Sequence, residues 1–307
     1  MNRQAIPTYP DHAWHGSAEV LENVAVARAT YRIRLAVPII AQRIVPGQFL
    51  MLRLPGRDDP LLGRPLAMYD VAADAAGQPH AVDIVYLVVG RMTSRLVEVP
   101  TGATLDIWGP LGNGFPPEEA GHLIMVAGGI GQTPFLALGR EALGQWRYGT
   151  PARNVPPAEK VTLCYGARTA DYLAGIADFE AAGIEVRVAT EDGTRGHRGR
   201  VTDLIGPLVA ESPRPCRIVC CGPEPMMAAT AQLARQLAVP CRVSLETPMA
   251  CGVGACFSCV AKIRDASGNW DYRRTCIEGP VFDAERVVFD DSELGAPPTG
   301  QAITGAE

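Results

Sequence analysis

Four cysteines constrain this chain more than any other feature. Cys251, Cys256 and Cys259 stand at C-x4-C-x2-C, and Cys276 follows after 16 further residues. That spacing matches the plant-type pattern for a [2Fe–2S] cluster. The reason is reach: four thiolates must converge on a compact iron pair, so one loop wraps it and supplies three. Gly252 and Gly254 let that loop bend and bring main-chain N–H groups towards the sulfurs. Structural zinc is the plainer alternative, although zinc usually prefers two C-x2-C pairs. The other cysteines, Cys164, Cys216, Cys220, Cys221 and Cys241, show no ligand spacing. Nine cysteines in 307 residues is an odd number in a chain too long to need staples, which points to a reduced, cytoplasmic setting rather than to disulfides.

The length suits two domains and a small third module. Net charge is −5, so no basic balance marks a nucleic-acid partner. Apolar runs such as Ile84–Val89 fall far short of the roughly 20 residues needed to span a bilayer. The N-terminus has no apolar stretch like that of a signal peptide. With 32 glycines and 26 prolines the chain is rich in turns.

Residues 1–17 read as an extension with little structure of its own. From 18 to 117, short strands (Glu19–Ala27, Thr30–Val37, Gln48–Leu54 and Val82–Val89) alternate with turn clusters, as in a small antiparallel barrel. From 118 to 240 the pattern becomes strand, tight turn, helix. Apolar runs at Leu123–Ala127, Val161–Tyr165, Glu185–Ala189 and Arg217–Cys221 alternate with helix-like stretches at Phe135–Leu143, Tyr172–Ala182 and Pro225–Leu237. That alternation implies a parallel sheet. Residues 241–291 form the cysteine module, and 292–307 read as a disordered tail.

Two loops mark a ligand crevice in the parallel sheet. Gly128, Gly129 and Gly131 follow a strand and open a helix, where a phosphate or ribose can approach the backbone. The turn is not G-x-G-x-x-G, and alone it reads equally well as a tight βα turn. Cys221, Gly222, Pro223 and Glu224 form a second such junction, and two loops at strand C-termini make the expected site. Met226 and Met227 are candidates for core packing. In the barrel, Arg64 of Gly63-Arg64-Pro65-Leu66-Ala67-Met68-Tyr69 is a candidate phosphate partner, because a guanidinium makes two charge-assisted hydrogen bonds. Thr93 offers a hydroxyl to the same anion. A solvated surface arginine is the default for Arg64 taken alone.

The order of these motifs, with Gly109-Pro110-Leu111-Gly112-Asn113-Gly114-Phe115 between barrel and glycine turn, resembles the ferredoxin-reductase superfamily. The segment Glu246–Val260 is similar to the electron transfer subunits of dihydroorotate dehydrogenase B, and the resemblance covers roughly residues 18–290. It implies an FAD-binding antiparallel β-barrel, a Rossmann-like NAD-binding domain and a small [2Fe–2S] module ligated by Cys251, Cys256, Cys259 and Cys276. It implies FAD contacts at Arg64, Pro65, Leu66 and Ala67, at Val85, Tyr86 and Leu87, and at Met92 and Thr93. The chain departs from the family pattern at three of these: Ala67 replaces a Ser, Met92 a Gly, and Leu87 a common Arg. NAD is implied at the two loops, as NADH rather than NADPH, although Arg168 and Arg195 are cations that could meet a 2′-phosphate.

The implied partner is an FMN-containing catalytic subunit that oxidises dihydroorotate in pyrimidine biosynthesis, in a heterotetramer with two of each subunit. No catalytic base is expected in this chain; His80, His122 and His197 read as surface or packing residues. The rival within the superfamily is a reductase subunit for a hydrogenase or a ferredoxin–NADP transhydrogenase. Such subunits can carry a non-Cys first ligand, whereas Cys251 is present here. The rival from another class is a zinc-stabilised, non-catalytic binding protein.

Overall fold

The computed structural model describes residues 12–56, 59–212 and 215–289. The expected tail at 292–307 and most of the expected extension, residues 1–11, lie outside the described residues. The extension ends sooner than its composition suggests. Trp14–Ser17 already belong to a long strand, β1 (Trp14–Ala27), and pair with residues 106–109.

Seven antiparallel strands make the first sheet. They are β1, β2 (Thr30–Ala36), β3 (Phe49–Arg53), β4 (Arg64–Ala67), β5 (Asp70–Ala73), β6 (Pro79–Leu87) and β7 (Thr104–Leu111), in the order β4-β3-β7-β1-β2-β6-β5. The two outermost strands, β4 and β5, are consecutive in sequence and joined by only Met68 and Tyr69. The sheet must therefore curl until its ends meet. Met68 N–H donates to the Gln48 carbonyl on one side of the seam, and Tyr69 N–H to the Asp83 carbonyl on the other. Alternate side chains such as Val20, Ile33, Leu35, Leu50, Leu52, Ile84 and Ile107 fill the interior. Two short helices, α1 (Pro38–Ala41) and α2 (Arg91–Leu96), lie between strands.

The second sheet contains β8 (His122–Gly128), β9 (Lys160–Ala167), β10 (Glu185–Thr190), β11 (His197–Arg198), β12 (Cys216–Cys221), β13 (Cys241–Ser244) and β16 (Val281–Asp283). The order is β11-β10-β9-β8-β12-β13-β16, and every pair is parallel except β13 with β16. Strand β8 is a continuous apolar run because both its faces are covered. The connecting helices are α3 (Phe135–Ala142), α4 (Ile176–Ala181), α5 (Ile205–Ala210) and α6 (Glu224–Gln236). α4 is shorter than the helical stretch expected over Tyr172–Ala182: Gly175 at φ +72 delays its start, and Tyr172 ends a separate 3-10 turn. A boundary at 240/241 does not follow the sheet, since β13 and β16, which fall within 241–291, are both its strands. The physical reason is hydrogen bonding: β13 continues the parallel ladder from β12, and β16 then covers its open edge.

The remaining hairpin, β14 (Val260–Arg264) and β15 (Trp270–Arg274), turns at Asp265–Asn269, where the Asp265 carboxylate accepts from the N–H groups of Ser267 and Asn269. Its inward residue Ile263 joins the core beneath the second sheet.

Polar junctions help to fix the units, among them the following pairs. Tyr69 donates to Asp178 of α4 at 2.8 Å, and Arg32 of β2 reaches the same carboxylate at 3.9 Å. Arg140 of α3 pairs with Asp70 of β5, which also accepts from the Tyr148 hydroxyl at 2.6 Å.

His122 begins β8 with no exposure to solvent. Its ring nitrogens meet the Ser212 hydroxyl at 2.6 Å and the Thr162 hydroxyl at 2.8 Å. Burial, assisted by the Lys160 charge, pushes it down to about 4 from the ordinary 6.5. Below pH 6.5 the unfolded chain takes up a proton that the folded ring refuses. Stability therefore falls as pH drops from 6.5 and levels off only below about 4. His122→Gln should flatten this acid limb, as read from urea midpoints of parent and variant at pH 7 and pH 5. An equal fall in both proteins would remove His122 as the cause.

Candidate functional site

The cysteine loop lies on the outside of the first sheet. Phe49, Met51 and Leu111 pack there against Met249, Cys259 and Cys276. Both loop glycines are required. Gly252 (φ +71) lies so close to Met51 that a Cβ would come within 2.7 Å of its Cγ, and Gly254 (φ +83) is equally tight against Ile277. Thr275 staples the fourth cysteine's strand end to the loop: its N–H and its hydroxyl both donate to the Cys259 carbonyl, at 2.7 and 3.1 Å. Arg274 donates to the Gly254 carbonyl at 2.9 Å and lies over the Phe257 ring. Trp108 of β7 donates to the Cys251 carbonyl at 2.9 Å.

The four thiols approach one another in two pairs. Cys259 and Cys276 are buried, with sulfurs 3.1 Å apart. Burial, and then the neighbouring Cys259 thiol, raise the Cys276 thiol to about 12. Cys256 is exposed, and hydrogen bonds from Ser258 and then from Cys251 bring its thiol down to about 6. Among the described residues, no three His, Cys, Asp or Glu side chains converge as a lone metal ion requires. A set of four thiols fits the four-cysteine ligation of a [2Fe–2S] cluster.

The flavin motif lies on the neighbouring strand pair. Arg64 begins β4 and is exposed; it donates to the carbonyls of Gly63 and Leu62, and no carboxylate pairs with it among the described residues. Pro65, Leu66 and Ala67 are half-buried. Across the barrel seam, β6 presents Val85 and half-buried Leu87 on one face. Tyr86 points the other way, into the barrel core, where it stacks on Tyr31 and donates to Asn23. Met92 is likewise a core residue. The Thr93 hydroxyl accepts from the N–H groups of Val89 and Gly90 and donates to the Gly90 carbonyl, so it caps its own helix. The side chains of Tyr86, Met92 and Thr93 are thus engaged within the protein. Asp59 ties α2 to the loop before Arg64 through Arg91 and Arg95, and the apolar side chains of Leu61, Leu62 and Val89 stand exposed beside that tie.

The glycine turn and the Gly-Pro-Glu-Pro loop touch directly. A Cβ on Gly131 would lie 2.2 Å from the Cys221 carbonyl oxygen. A Cβ on Gly222 would lie 2.9 Å from Gly128 N, and one on Gly128 would meet Met226 and Pro223. Three of the glycines therefore serve loop-to-loop packing. Gly129, at φ +55 with open space around it, is the one that leaves main chain accessible. Met226 packs between the loops and Met227 lies in the core. The Cys221 thiol is pushed up to about 12, first by burial and then by Glu246. Glu224 opens α6.

Sequence reasoning missed Trp108 and Met51, which have no motif around them that signals a role, and it gave Asn113, inside the Gly109–Phe115 motif, no role of its own. It also missed Gln132, whose buried amide has no hydrogen-bond partner among the described residues.

Comparison with known proteins reads this geometry closely. The family model for the oxidoreductase FAD-binding domain matches residues 17–115, that for the oxidoreductase NAD-binding domain 125–232, and that for the iron–sulfur cluster binding domain of dihydroorotate dehydrogenase B 246–288. The electron transfer subunit of dihydroorotate dehydrogenase B (NAD(+)) from Caldanaerobacter subterraneus is 33% identical over 90% of this chain and 99% of its own length; that from Bacillus caldolyticus is 36% identical over 86% and 95%. The chain belongs to the family of dihydroorotate dehydrogenase B electron transfer subunits. As a member of that family it is an NAD-linked flavin and iron–sulfur oxidoreductase subunit, with an FAD-binding domain, an NAD-binding domain and a [2Fe–2S] domain. Among solved structures, one of the NADH-dependent reduced ferredoxin-NADP oxidoreductase superposes with a TM-score of 0.72 at 28% identity, covering 89% of this chain and 90% of that one. The ferredoxin reductase of carbazole 1,9a-dioxygenase (TM-score 0.61, 22% identity, 77% of this chain and 68% of that one) shares the fold. Among the described residues, no helix is long and apolar enough to cross a membrane.

Loop contact makes a direct prediction. Gly131→Ala should cost about 1–3 kcal/mol of stability, because its new methyl meets a main-chain carbonyl that cannot retreat. Gly206→Ala, in α5 with nothing near its Cβ position, should be neutral or stabilising by up to about 1 kcal/mol. Urea unfolding of the two variants gives the comparison; equal midpoints would show that the loops separate easily.

Proposed function

We propose that this electron transfer subunit links NAD to an FMN-containing catalytic subunit that oxidises dihydroorotate to orotate, a step of pyrimidine biosynthesis, in a cytoplasmic heterotetramer with two of each subunit. In the cell the net flow runs from dihydroorotate to NAD⁺. The observation that carries this reading is the placement of the cysteine loop. It is seated on β3, directly beside the β4 strand that bears Arg64, while Cys256 and Phe257 face outwards.

When bound, FAD exchanges two electrons as a hydride with the nicotinamide and single electrons with the [2Fe–2S] cluster. The residues of the chain arrange that exchange. Arg64, exposed and with no carboxylate partner among the described residues, would hold the flavin pyrophosphate. Pro65, Leu66, Ala67, Val85 and Leu87 would line the flavin, with Tyr86 contributing main chain and Met92 and Thr93 shaping the helix beside it. Gly129 and the junction from Cys221 to Glu224 would face the dinucleotide, with Gly128 and Gly131 holding the two loops together. Cys251, Cys256, Cys259 and Cys276 would ligate the cluster, and the exposed rim at Cys256 would meet the partner. Removal of the proton from dihydroorotate is assigned to the catalytic subunit, with no base expected from this chain. The likeness to the ferredoxin-NADP oxidoreductase structure supports one second reading, in which the same subunit serves a ferredoxin-linked partner.

Serine at any of the four cysteines should abolish or destabilise the cluster while largely sparing FAD, because a hydroxyl is a poor replacement for a soft thiolate. Stoichiometric zinc without iron or sulfide in anaerobically purified protein would refute the ligand set. Arg64→Ala should weaken FAD binding roughly tenfold to a hundredfold, measured by flavin retention on dilution. The isolated subunit should pass electrons from NADH to artificial acceptors but leave dihydroorotate untouched. Adding the FMN subunit should create dihydroorotate-dependent NAD⁺ reduction. Coupling to a ferredoxin partner instead would replace the pyrimidine role with the second reading.

A further inference from the structure

Trp108 bridges the cysteine loop and the residue that precedes the flavin motif. It sits on β7 between His15 of β1 and Met51 of β3. At one end of its indole, Nε1–H donates to the carbonyl of Cys251, the first cysteine of the loop, at 2.9 Å. At the other end, Cη2 fills the space where a Cβ on Gly63 would sit, 2.8 Å away, and Gly63 immediately precedes Arg64. The ring is only half-buried and packs with the cysteine-loop cluster, while its neighbours Leu105 and Ile107 fill the barrel. Met51 lies alongside: it is opposite Pro65 on β4 and in contact with Gly252.

We propose that Trp108 is a positioning residue that sets the separation and orientation of the cluster loop relative to the flavin strand. An indole is rigid, with two side-chain torsions, and both of its ends are occupied here. Its N–H holds the peptide of Cys251, while its ring prevents the loop from settling towards Gly63. Electron transfer between two fixed centres falls steeply with the gap, so a spacer at this point governs the FAD-to-cluster step without touching either reacting atom. This rests on the reading of Cys251 as a cluster ligand and of the Arg64 stretch as the flavin site.

Two variants of the full chain, purified anaerobically with its cofactors, test the role. Trp108→Phe keeps a ring against Gly63 and removes only the donor. It should retain iron, sulfide and FAD, lose cluster iron to a chelator about tenfold faster, the equivalent of one neutral hydrogen bond, and shift the reduced-cluster EPR spectrum. Trp108→Ala removes the spacer as well. It should leave flavin bleaching by NADH unchanged while speeding the subsequent reduction of the cluster, because the loop can settle towards Gly63. If both variants match the parent in chelator half-life, EPR spectrum and cluster reduction rate, Trp108 has no such role. A lowered melting temperature with those three readouts unchanged overturns the proposal equally, since that is what simple packing predicts. If Trp108→Ala does not fold, Trp108→Phe decides on half-life and spectrum. A parent protein without iron or sulfide would instead overturn the functional reading on which the proposal rests.

Discussion

One asparagine amide holds the three parts of this protein in register. Asn113 follows β7, and its side chain donates to the Val281 carbonyl at 2.8 Å and accepts from the Val281 N–H at 3.1 Å, as a neighbouring strand would. Its own N–H donates to the Gly279 carbonyl at 2.7 Å. The barrel therefore ends by pairing with β16, the strand that closes the second sheet and terminates the cysteine module. Gly112 and Gly114 flank Asn113 because Pro280 and the Pro46 carbonyl leave no room for a Cβ. A carboxylate at 113 could accept but not donate, and half of the clamp would be lost.

The fold was legible wherever one periodicity dominated. The apolar run of β8 and the switch from alternating strands to strand–helix repeats show where the barrel gives way to the parallel sheet. The cysteine spacing was equally plain, because ligand geometry is written locally. β4, β5 and β7 were not, since each is short, half-exposed or rich in Pro and Gly and forms only because a neighbouring ladder is already in place. The roles of Tyr86, Met92 and Thr93 were hidden for the same reason. A resemblance aligns positions, but which way a side chain points follows from the strand's pleat and from helix capping. Trp108 had no signal at all, as its partners lie 45 residues before it, at Gly63, and 143 after it, at Cys251.

The glycine turn carries a related lesson. Glycines at a βα junction suggest an approaching phosphate, but here most of them accommodate another loop. Gly128, Gly131 and Gly222 let two strand ends come into main-chain contact, which closes the floor of the crevice and leaves Gly129 as the open point. Such a floor is stiff, because it is built of backbone rather than of side chains that can change rotamer. The burial that raises the Cys221 thiol follows from the same closeness.

The cysteine module enters and leaves the second sheet at a single rung. Ser244, the last residue of β13, is paired with Val281, the first of β16. Everything between them is a loop hung from two antiparallel neighbours roughly 5 Å apart. A short turn in its place would still leave a hairpin, with the parallel ladder and the barrel's clamp on Val281 intact. In topology the module is thus an insertion between two adjacent strands of the second sheet, while in packing it is shared, giving Ile263 to that sheet's core and Cys259 and Cys276 to the outer face of the barrel.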